Sequence, residues 1–141
     1  MNLIIKLAIA LAVVSVNAQE MNYTCTFTSA VGAKWSKDTW NSTSFAPQTK
    51  MFVIRTINGN IDVKSVAEYL GGWGGKDASC NYVSNNNANY AYHKCTMLNS
   101  SRTFMFNSNT KNGALVNLDG VMTPDTYARK DDIGIEVFKC L

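Results

Sequence analysis

Residues 79–98 read SCNYVSNNNANYAYHKCTML, and this stretch decides the fold that we predict for the chain. Two strand-like segments flank an asparagine-rich tip, which is typical of a turn between paired strands. If the segments pair antiparallel about that tip, Tyr82 lies opposite His93 and Cys80 lies opposite Cys95. Directly opposed residues of an antiparallel pair have Cβ atoms close enough for a disulfide. The stretch therefore predicts a β-hairpin that is locked by a Cys80–Cys95 bridge.

Two further cysteines, Cys25 and Cys140, stand near the two ends of the chain. The total of four is even, and an even number in an exported chain indicates two disulfides. A zinc site is the competing interpretation, but the chain has no C-x-x-C motif and only one histidine. With the hairpin bridge made, the second bridge joins Cys25 to Cys140. It requires the first and last strands to be antiparallel neighbours, as they are in a closed barrel.

Alternating polar and apolar residues predict strands along most of the remaining chain. The first is Met21–Ser29, and a favoured turn, Asn58-Gly59, separates a strand at Met51–Ile57 from a return over Asn60–Tyr69. The other predicted segments are a short hairpin within Ala33–Phe45 that turns at Lys37-Asp38, a strand at Arg102–Asn107, a turn at Asn112-Gly113, a strand at Ala114–Met122, and a last strand from Ile133 to Phe138.

These segments predict an all-β fold, with about eight antiparallel strands in a lipocalin/calycin-like up-and-down barrel. A two-sheet β-sandwich has a similar strand content and is the alternative. The disulfide between the chain ends favours the barrel. We expect one such domain over residues 19–141, because no internal repeat or linker divides this part of the chain.

The first 18 residues have the features of a secretory signal peptide. Lys6 precedes an apolar run, Leu7–Val16, and small residues at Val16 and Ala18 match a signal peptidase site. The run is much shorter than the roughly 20 residues needed to cross a bilayer, so we expect cleavage after Ala18 and no membrane span. The predicted location is therefore secreted or periplasmic.

The composition excludes several classes of function. A net charge of +3 with scattered basic residues does not indicate a nucleic-acid-binding protein. A single histidine, His93, excludes metal sites built on several histidines, and we predict no metal and no cofactor. We predict no catalytic residues and hence no enzyme. The alternative is a small secreted hydrolase that uses His93 or the acids between Asp125 and Glu136.

Aromatic residues near predicted loops and strand ends are the better candidates for a binding function, and they are Trp35, Trp40, Trp73, Tyr69, Tyr90 and Tyr92. We select Trp35, Trp40, Trp73 and Tyr92 as predicted contacts. The resulting hypothesis is an exported, non-catalytic binding module. It would hold a small molecule or glycan in a barrel mouth, or dock a protein through its loop aromatics. A structural envelope protein and an enzyme inhibitor remain as further alternatives.

The final third of the chain resembles small, uncharacterised exported bacterial proteins that are β-rich and disulfide-bonded. The residues that carry this resemblance are Cys95, Phe104–Asn107, Thr123-Pro124 and Ile135–Cys140. It implies an exported bacterial protein with disulfides and brings no activity. In outline the chain is also similar to small disulfide-linked barrels that inhibit lysozymes, although no inhibitory loop motif is visible and a basic net charge suits a basic enzyme poorly.

Overall fold

The structure is a computed structural model that describes residues 18–36, 39–70, 78–84, 90–98, 100–118 and 133–141. Of Trp35 and Ser36 it describes the backbone alone. Its strands are β1 Glu20–Ser36, β2 Thr39–Phe45, β3 Phe52–Ile57, β4 Asn60–Ile61, β5 Ala78–Val83, β6 Tyr92–Met97, β7 Arg102–Asn107, β8 Asn112–Asn117 and β9 Ile133–Cys140. Two short 3₁₀ helices follow β4, at Val63–Ser65 and Ala67–Leu70. The described part of the chain contains no α-helix.

All pairings within the sheet are antiparallel, in the order β4-β3-β1-β9-β8-β7-β6-β5. Strands β5 to β9 form a continuous meander, and β9 then pairs with β1. Strands β4 and β5, at the two ends of this order, also contact each other, so the sheet is nearly closed. The predicted antiparallel barrel is therefore confirmed.

Strand β1 is long enough to pair with two other strands, one after the other, along the same edge. Its first residues, Glu20–Cys25, pair with β3, and its last, Ala30–Ser36, pair with β2. Strand β9 occupies the opposite edge. Because β2 and β3 share one position around the barrel, the nine strands that the structure describes fill eight positions.

Both predicted disulfides are present. Cys25 is bonded to Cys140, and these residues oppose each other in the β1–β9 pair. Cys80 is bonded to Cys95 across the β5–β6 hairpin, in the register predicted from the asparagine-rich tip. The bridges therefore connect the chain ends and fix the register of one hairpin.

An aromatic cluster fills the middle of the barrel. The rings of Phe104 and Phe138 stack with centroids 5.0 Å apart, and those of Phe27 and Phe52 stack at the same distance. Phe104 and Phe138 are completely buried. Aromatic pairs at such separations add to the stabilisation from burying their apolar area.

A bulge in β1 changes which residues face this core. Tyr23, Cys25 and Phe27 are buried, but the register with β9 shifts between Phe27 and Ser29. After the shift Ala30 is the buried residue. One inserted residue reverses the inward parity of a strand, and here it brings a small side chain to the inside.

Two local predictions are wrong. The strand predicted over Asn60–Tyr69 ends at Ile61, because the Asp62 carboxylate accepts a hydrogen bond from the Lys64 N–H and caps the first 3₁₀ helix. The turn predicted at Asn112-Gly113 instead spans residues 108–111, and both residues already belong to β8.

The side chain of Asn107 explains the position of that second turn. Its Oδ1 accepts hydrogen bonds from the N–H groups of Asn109 and Thr110, at 2.9 and 3.0 Å. Such side-chain bonds to the following backbone favour a turn at this point. Lys111 completes the reversal with a φ of 56°.

Candidate functional site

The candidate site lies at the end of the barrel where β7 begins, β8 ends and β9 begins, which we call the upper end. Arg102 opposes Asn117 there, and Asn117 opposes Gly134. A cavity of about 400 Å³ opens at this end, and we call it the mouth cavity. Its lining includes the apolar residues Ala30, Phe45, Leu115 and Ile133 and the polar residues Gln48, Arg102, Asn117 and Glu136.

The mouth cavity exists because the inward residues of two neighbouring strands become small towards the upper end. In β1 the inward side chain changes from Phe27 to Ala30, and in β9 it changes from Phe138 to Gly134. The aromatic cluster thus forms the floor of the cavity, and Glu136, the inward residue of β9 between Phe138 and Gly134, lines the space above it.

A second space of about 310 Å³ adjoins the first, and we call it the side cavity. The two cavities share Gln48, Arg102 and Leu115 as lining residues. The side cavity adds Lys50, Glu68 and Tyr69, so polar groups surround the junction between the two spaces. Lys50 and Glu68 form an ion pair at 3.4 Å, in which both side chains are largely exposed.

Glu136 places a carboxylate on the inner face of the barrel. The buried residues Phe138 and Cys140 follow it at two-residue intervals, whereas Ile135 and Val137 face solvent and are 44% and 40% exposed. The Gln48 side-chain amide donates a hydrogen bond to Glu136 Oε1 at 3.1 Å. The other oxygen, Oε2, is buried and has no hydrogen-bond partner.

Tyr69 brings a second polar atom to the site. Its ring packs against Phe52, with centroids 4.8 Å apart, and the residue is only 6% exposed. Its buried hydroxyl makes no hydrogen bond of good geometry. Burial, reinforced by the neighbouring Glu68 carboxylate, raises the pKa of Tyr69 above its ordinary value. The hydroxyl therefore remains a neutral group that can donate or accept a hydrogen bond.

Of the four predicted aromatic contacts, the structure describes the side chains of Trp40 and Tyr92 alone. Trp40 is half-buried in β2, opposite Trp35, whose side chain is outside the description. Trp73 lies outside the described residues. Tyr92 lines a shallow groove on the outer wall, beside Tyr90. Neither Trp40 nor Tyr92 lines the mouth cavity, and a binding role for all four residues stays a prediction.

His93 faces the barrel interior and lies away from both cavities. It is 2% exposed and packs on Tyr82, with ring centroids 5.1 Å apart. Burial lowers the pKa of its imidazole, so the neutral form is favoured. Of the acids proposed for the alternative hydrolase, the structure describes Glu136, whereas Asp125, Asp131 and Asp132 lie outside the described residues.

The sequence did not lead to Gln48, Arg102 or Leu115 as site residues, whereas Tyr69 belongs to the wider group of aromatic candidates although not to the four selected contacts. A signal was available for the inward position of Glu136. Cys140 must face inward to reach Cys25, and every second residue of a strand shares a face. The positions of Gln48 and Tyr69 had no comparable signal, because both lie outside the strands.

The described ranges hold neither a metal-binding cluster nor a membrane-crossing helix. No group of three or more His, Cys, Asp or Glu side chains there could hold a metal ion. In the same ranges, no helix has the length and apolar character required to cross a bilayer.

No family model, curated protein or solved structure matches this chain at a significant level of similarity.

Proposed function

We propose that the protein is an exported, non-catalytic binding module that holds a small organic ligand in the mouth cavity. The observation that carries this proposal is the cavity itself, whose lining combines apolar residues with the polar side chains of Gln48, Arg102 and Glu136. The two disulfides fit an oxidising compartment, which agrees with the predicted signal peptide.

The size and lining of the cavity support a small ligand. Pockets for small molecules commonly measure about 300–1,000 Å³ and combine apolar walls with a few polar groups that set orientation. The mouth cavity has about 400 Å³ and this type of lining.

The hydrolase alternative has less support from the described residues. Its base, His93, is buried against Tyr82 and does not line the mouth cavity. Glu136 lines that cavity, whereas the other acids of this alternative, Asp125, Asp131 and Asp132, lie outside the described residues. We therefore favour binding.

The test is a ligand screen by two-dimensional NMR with variants that fill or spare the cavity. The screen contains small amines, fatty acids and sugars. Ala30→Phe places a ring in the mouth cavity, and Ala46→Phe adds bulk at its exposed rim. Ala114→Phe is the matched control, because Ala114 lies in the groove on the outer wall.

We expect at least one compound class to shift the amide signals of Leu115 and Glu136. Ala30→Phe or Ala46→Phe should lower the affinity for that compound by about 10-fold or more, since a loss of 1.4 kcal/mol in binding free energy already has this effect. Ala114→Phe should change the affinity by less than about 2-fold, which is under 0.5 kcal/mol. If no class binds, or if binding is unaffected by both cavity variants, the proposal is wrong.

A further inference from the structure

A groove on the outer wall of the barrel is separate from both cavities, and we call it the outer groove. It measures about 310 Å³, and its lining includes Tyr90, Tyr92, Met105, Asn107, Asn112 and Ala114. We propose that the outer groove binds a short stretch of an acidic glycan, which is a carbohydrate chain whose sugars carry carboxylate or sulfate groups. This proposal does not depend on the function proposed for the mouth cavity.

The side chains of the outer groove are accessible to a ligand. Tyr90, shortly before β6, is 64% exposed. Tyr92 precedes the buried His93, and Ala114 precedes the buried Leu115. Because successive residues of a strand face opposite sides, Tyr92 and Ala114 project from the outer face of the sheet. A ligand can therefore reach the groove without any rearrangement of the barrel.

The lining combines aromatic rings with uncharged polar groups, and sugars require both. A sugar ring has an apolar C–H face that packs on an aromatic ring, and its hydroxyl groups need hydrogen-bond partners. Asn107 Oδ1 is held by the N–H groups of Asn109 and Thr110, which orients the side-chain amide. Asn107 Nδ2, the amide of Asn112 and the hydroxyl of Tyr92 make no hydrogen bond to a described residue. These groups can therefore bond the hydroxyls of a sugar.

Lysines around the outer groove favour an acidic glycan over a neutral one. Lys94 opposes Met105 and Lys139 opposes Asn112, so each lies directly beside a residue of the lining. Both lysines are exposed and alternate with buried residues of their strands, which places them on the outer face. Lys111, in the turn between β7 and β8, is also exposed. Three positive charges therefore surround the groove.

None of these three lysines makes an ion pair with a described residue. The acids that the structure describes lie elsewhere, at Glu20 and Asp62 beside Arg55, at Glu68 beside Lys50, and at Glu136 in the mouth cavity. A surface with uncompensated positive charge attracts ligands of opposite charge. A carboxylate or sulfate also accepts stronger hydrogen bonds from ammonium groups than from neutral donors.

An anionic membrane is the main competitor for such a surface, since lysines also attract acidic lipids. The concave shape favours the glycan, because a groove takes up a chain that enters it, whereas a bilayer surface is flat. The volume of about 310 Å³ is near the lower end of ligand pockets, so it suits a few sugar rings and not a long chain.

The experiment titrates five probes into the protein and follows binding by NMR and isothermal titration calorimetry. They are tri-galacturonate, sulfated galactotriose, neutral galactotriose, a capped triglutamate peptide, and vesicles of phosphatidylcholine with phosphatidylglycerol. The peptide has as many carboxylates as tri-galacturonate but no sugar ring. We expect the two acidic sugars to bind more tightly than galactotriose and the peptide, and we expect the vesicles not to bind.

Lysine variants test the role of charge. Lys94→Gln combined with Lys139→Gln removes two positive charges beside the outer groove. Lys50→Gln combined with Lys64→Gln is the matched control, because it lowers the net charge equally at exposed positions that do not line the groove. We expect the first pair to lower the affinity for the acidic sugars by about 5-fold or more, and the control pair to change it by less than about 2-fold.

Alanine variants locate the site. Ala114→Phe adds a ring to the outer groove and should lower the affinity for the acidic sugars by about 10-fold or more. Ala30→Phe fills the mouth cavity and should change that affinity by less than about 2-fold. The acidic sugars should shift the amide signals of Met105 and Asn112, and those of Ala30 and Glu136 should stay unchanged.

Several results would overturn the inference. Equal or tighter binding of galactotriose, or an unchanged affinity in the variant of Lys94 and Lys139, would show that charge is not recognised. Equal or tighter binding of triglutamate would show that the sugar is not recognised, and binding of vesicles without binding of sugars would indicate a membrane surface. Failure of both acidic sugars to bind, or amide shifts at Glu136 in place of Asn112, would also contradict it. The function proposed for the mouth cavity is tested separately by its own ligand screen.

Discussion

Gly113 illustrates at the scale of one residue how the structure assigns a role that differs from the predicted one. The Asn-Gly pair was interpreted as a turn, but Gly113 lies within β8 and opposes Phe138. A Cβ atom at this position would lie 2.1 Å from Phe138 Cζ and 2.4 Å from the carbonyl oxygen of Met105. The glycine is therefore required because it leaves room for a buried ring of the aromatic cluster.

We predict that Gly113→Ala lowers the free energy of unfolding by about 1–3 kcal/mol, the usual cost of overpacking a filled core. Gly134→Ala is the matched control in the neighbouring strand, because its Cβ would meet only the Val31 carbonyl oxygen, at an ordinary 3.5 Å. Urea unfolding followed by circular dichroism measures both variants. Equal stabilities for the two would contradict the role assigned to Gly113.

At the scale of elements, the β3–β4 hairpin shows how far local signals extend. Its predicted turn is confirmed, with φ angles of 51° at Asn58 and 78° at Gly59, as a two-residue hairpin turn requires. The returning strand then stops because Asp62 links the hairpin to the 3₁₀ helix. Its carboxylate accepts hydrogen bonds from Arg55 Nε at 2.8 Å and from the Lys64 N–H at 3.2 Å.

We predict that Asp62→Ala destabilises the protein by about 1 kcal/mol at pH 7, a typical cost for the loss of a helix cap. Glu20→Ala is the control, since Glu20 reaches the same arginine only at 3.9 Å and from an exposed position. It should change stability by less than about 0.5 kcal/mol. Thermal and urea unfolding would measure both, and equal effects would contradict the special role of Asp62.

The effect of Asp62 also depends on pH. Burial by itself would raise the pKa of Asp62, but the hydrogen bond from Arg55, the Lys64 N–H and the positive charges of both outweigh it, and the pKa is lowered. As pH falls below about 4, the unfolded chain is protonated at this carboxyl before the folded one. The stabilisation is therefore complete at neutral pH and is lost in acid. The difference between wild type and Asp62→Ala should shrink between pH 4 and pH 2, and a constant difference would contradict this assignment.

At the scale of the whole molecule, the disulfides and the aromatic cluster stabilise a barrel in which the first and last described strands, β1 and β9, are neighbours. The Cys25–Cys140 bridge has a sequence separation of 115 residues, and the Cys80–Cys95 bridge has one of 15. Cross-links over longer loops remove more conformational entropy from the unfolded chain. The bridge between the chain ends should therefore contribute more to stability.

We predict that replacing Cys25 and Cys140 together by alanine costs about 4.7 kcal/mol, while replacing Cys80 and Cys95 costs about 3 kcal/mol. The two double variants are matched controls for each other, because each removes one bridge and leaves the other. Equilibrium urea unfolding with the remaining bridge intact measures both. A larger loss for the hairpin bridge would contradict a mechanism based on loop length.

Much of the fold could be predicted because its signals are covalent or periodic. Tyr82 lies opposite His93 because the two strands pair symmetrically about the asparagine-rich tip. The Cys25–Cys140 bridge follows once the hairpin cysteines are paired. The candidate site was harder to predict from the sequence than the fold. A sequence-based choice of loop aromatics could not anticipate Gln48, because this residue meets the barrel mouth only through chain packing.

Most of the strands and both disulfide pairs could be predicted from the sequence, since they depend on alternation or on a covalent bond, and the bridge between Cys25 and Cys140 favoured a closed sheet over a sandwich. Where the barrel is open, and which polar residues line the opening, could be seen only in the tertiary structure. The cavity depends on a bulge that turns Ala30 inward, on Gly134 above Phe138, and on a loop that carries Gln48 to Glu136. Such contacts join residues far apart in the chain, and no local pattern encodes them.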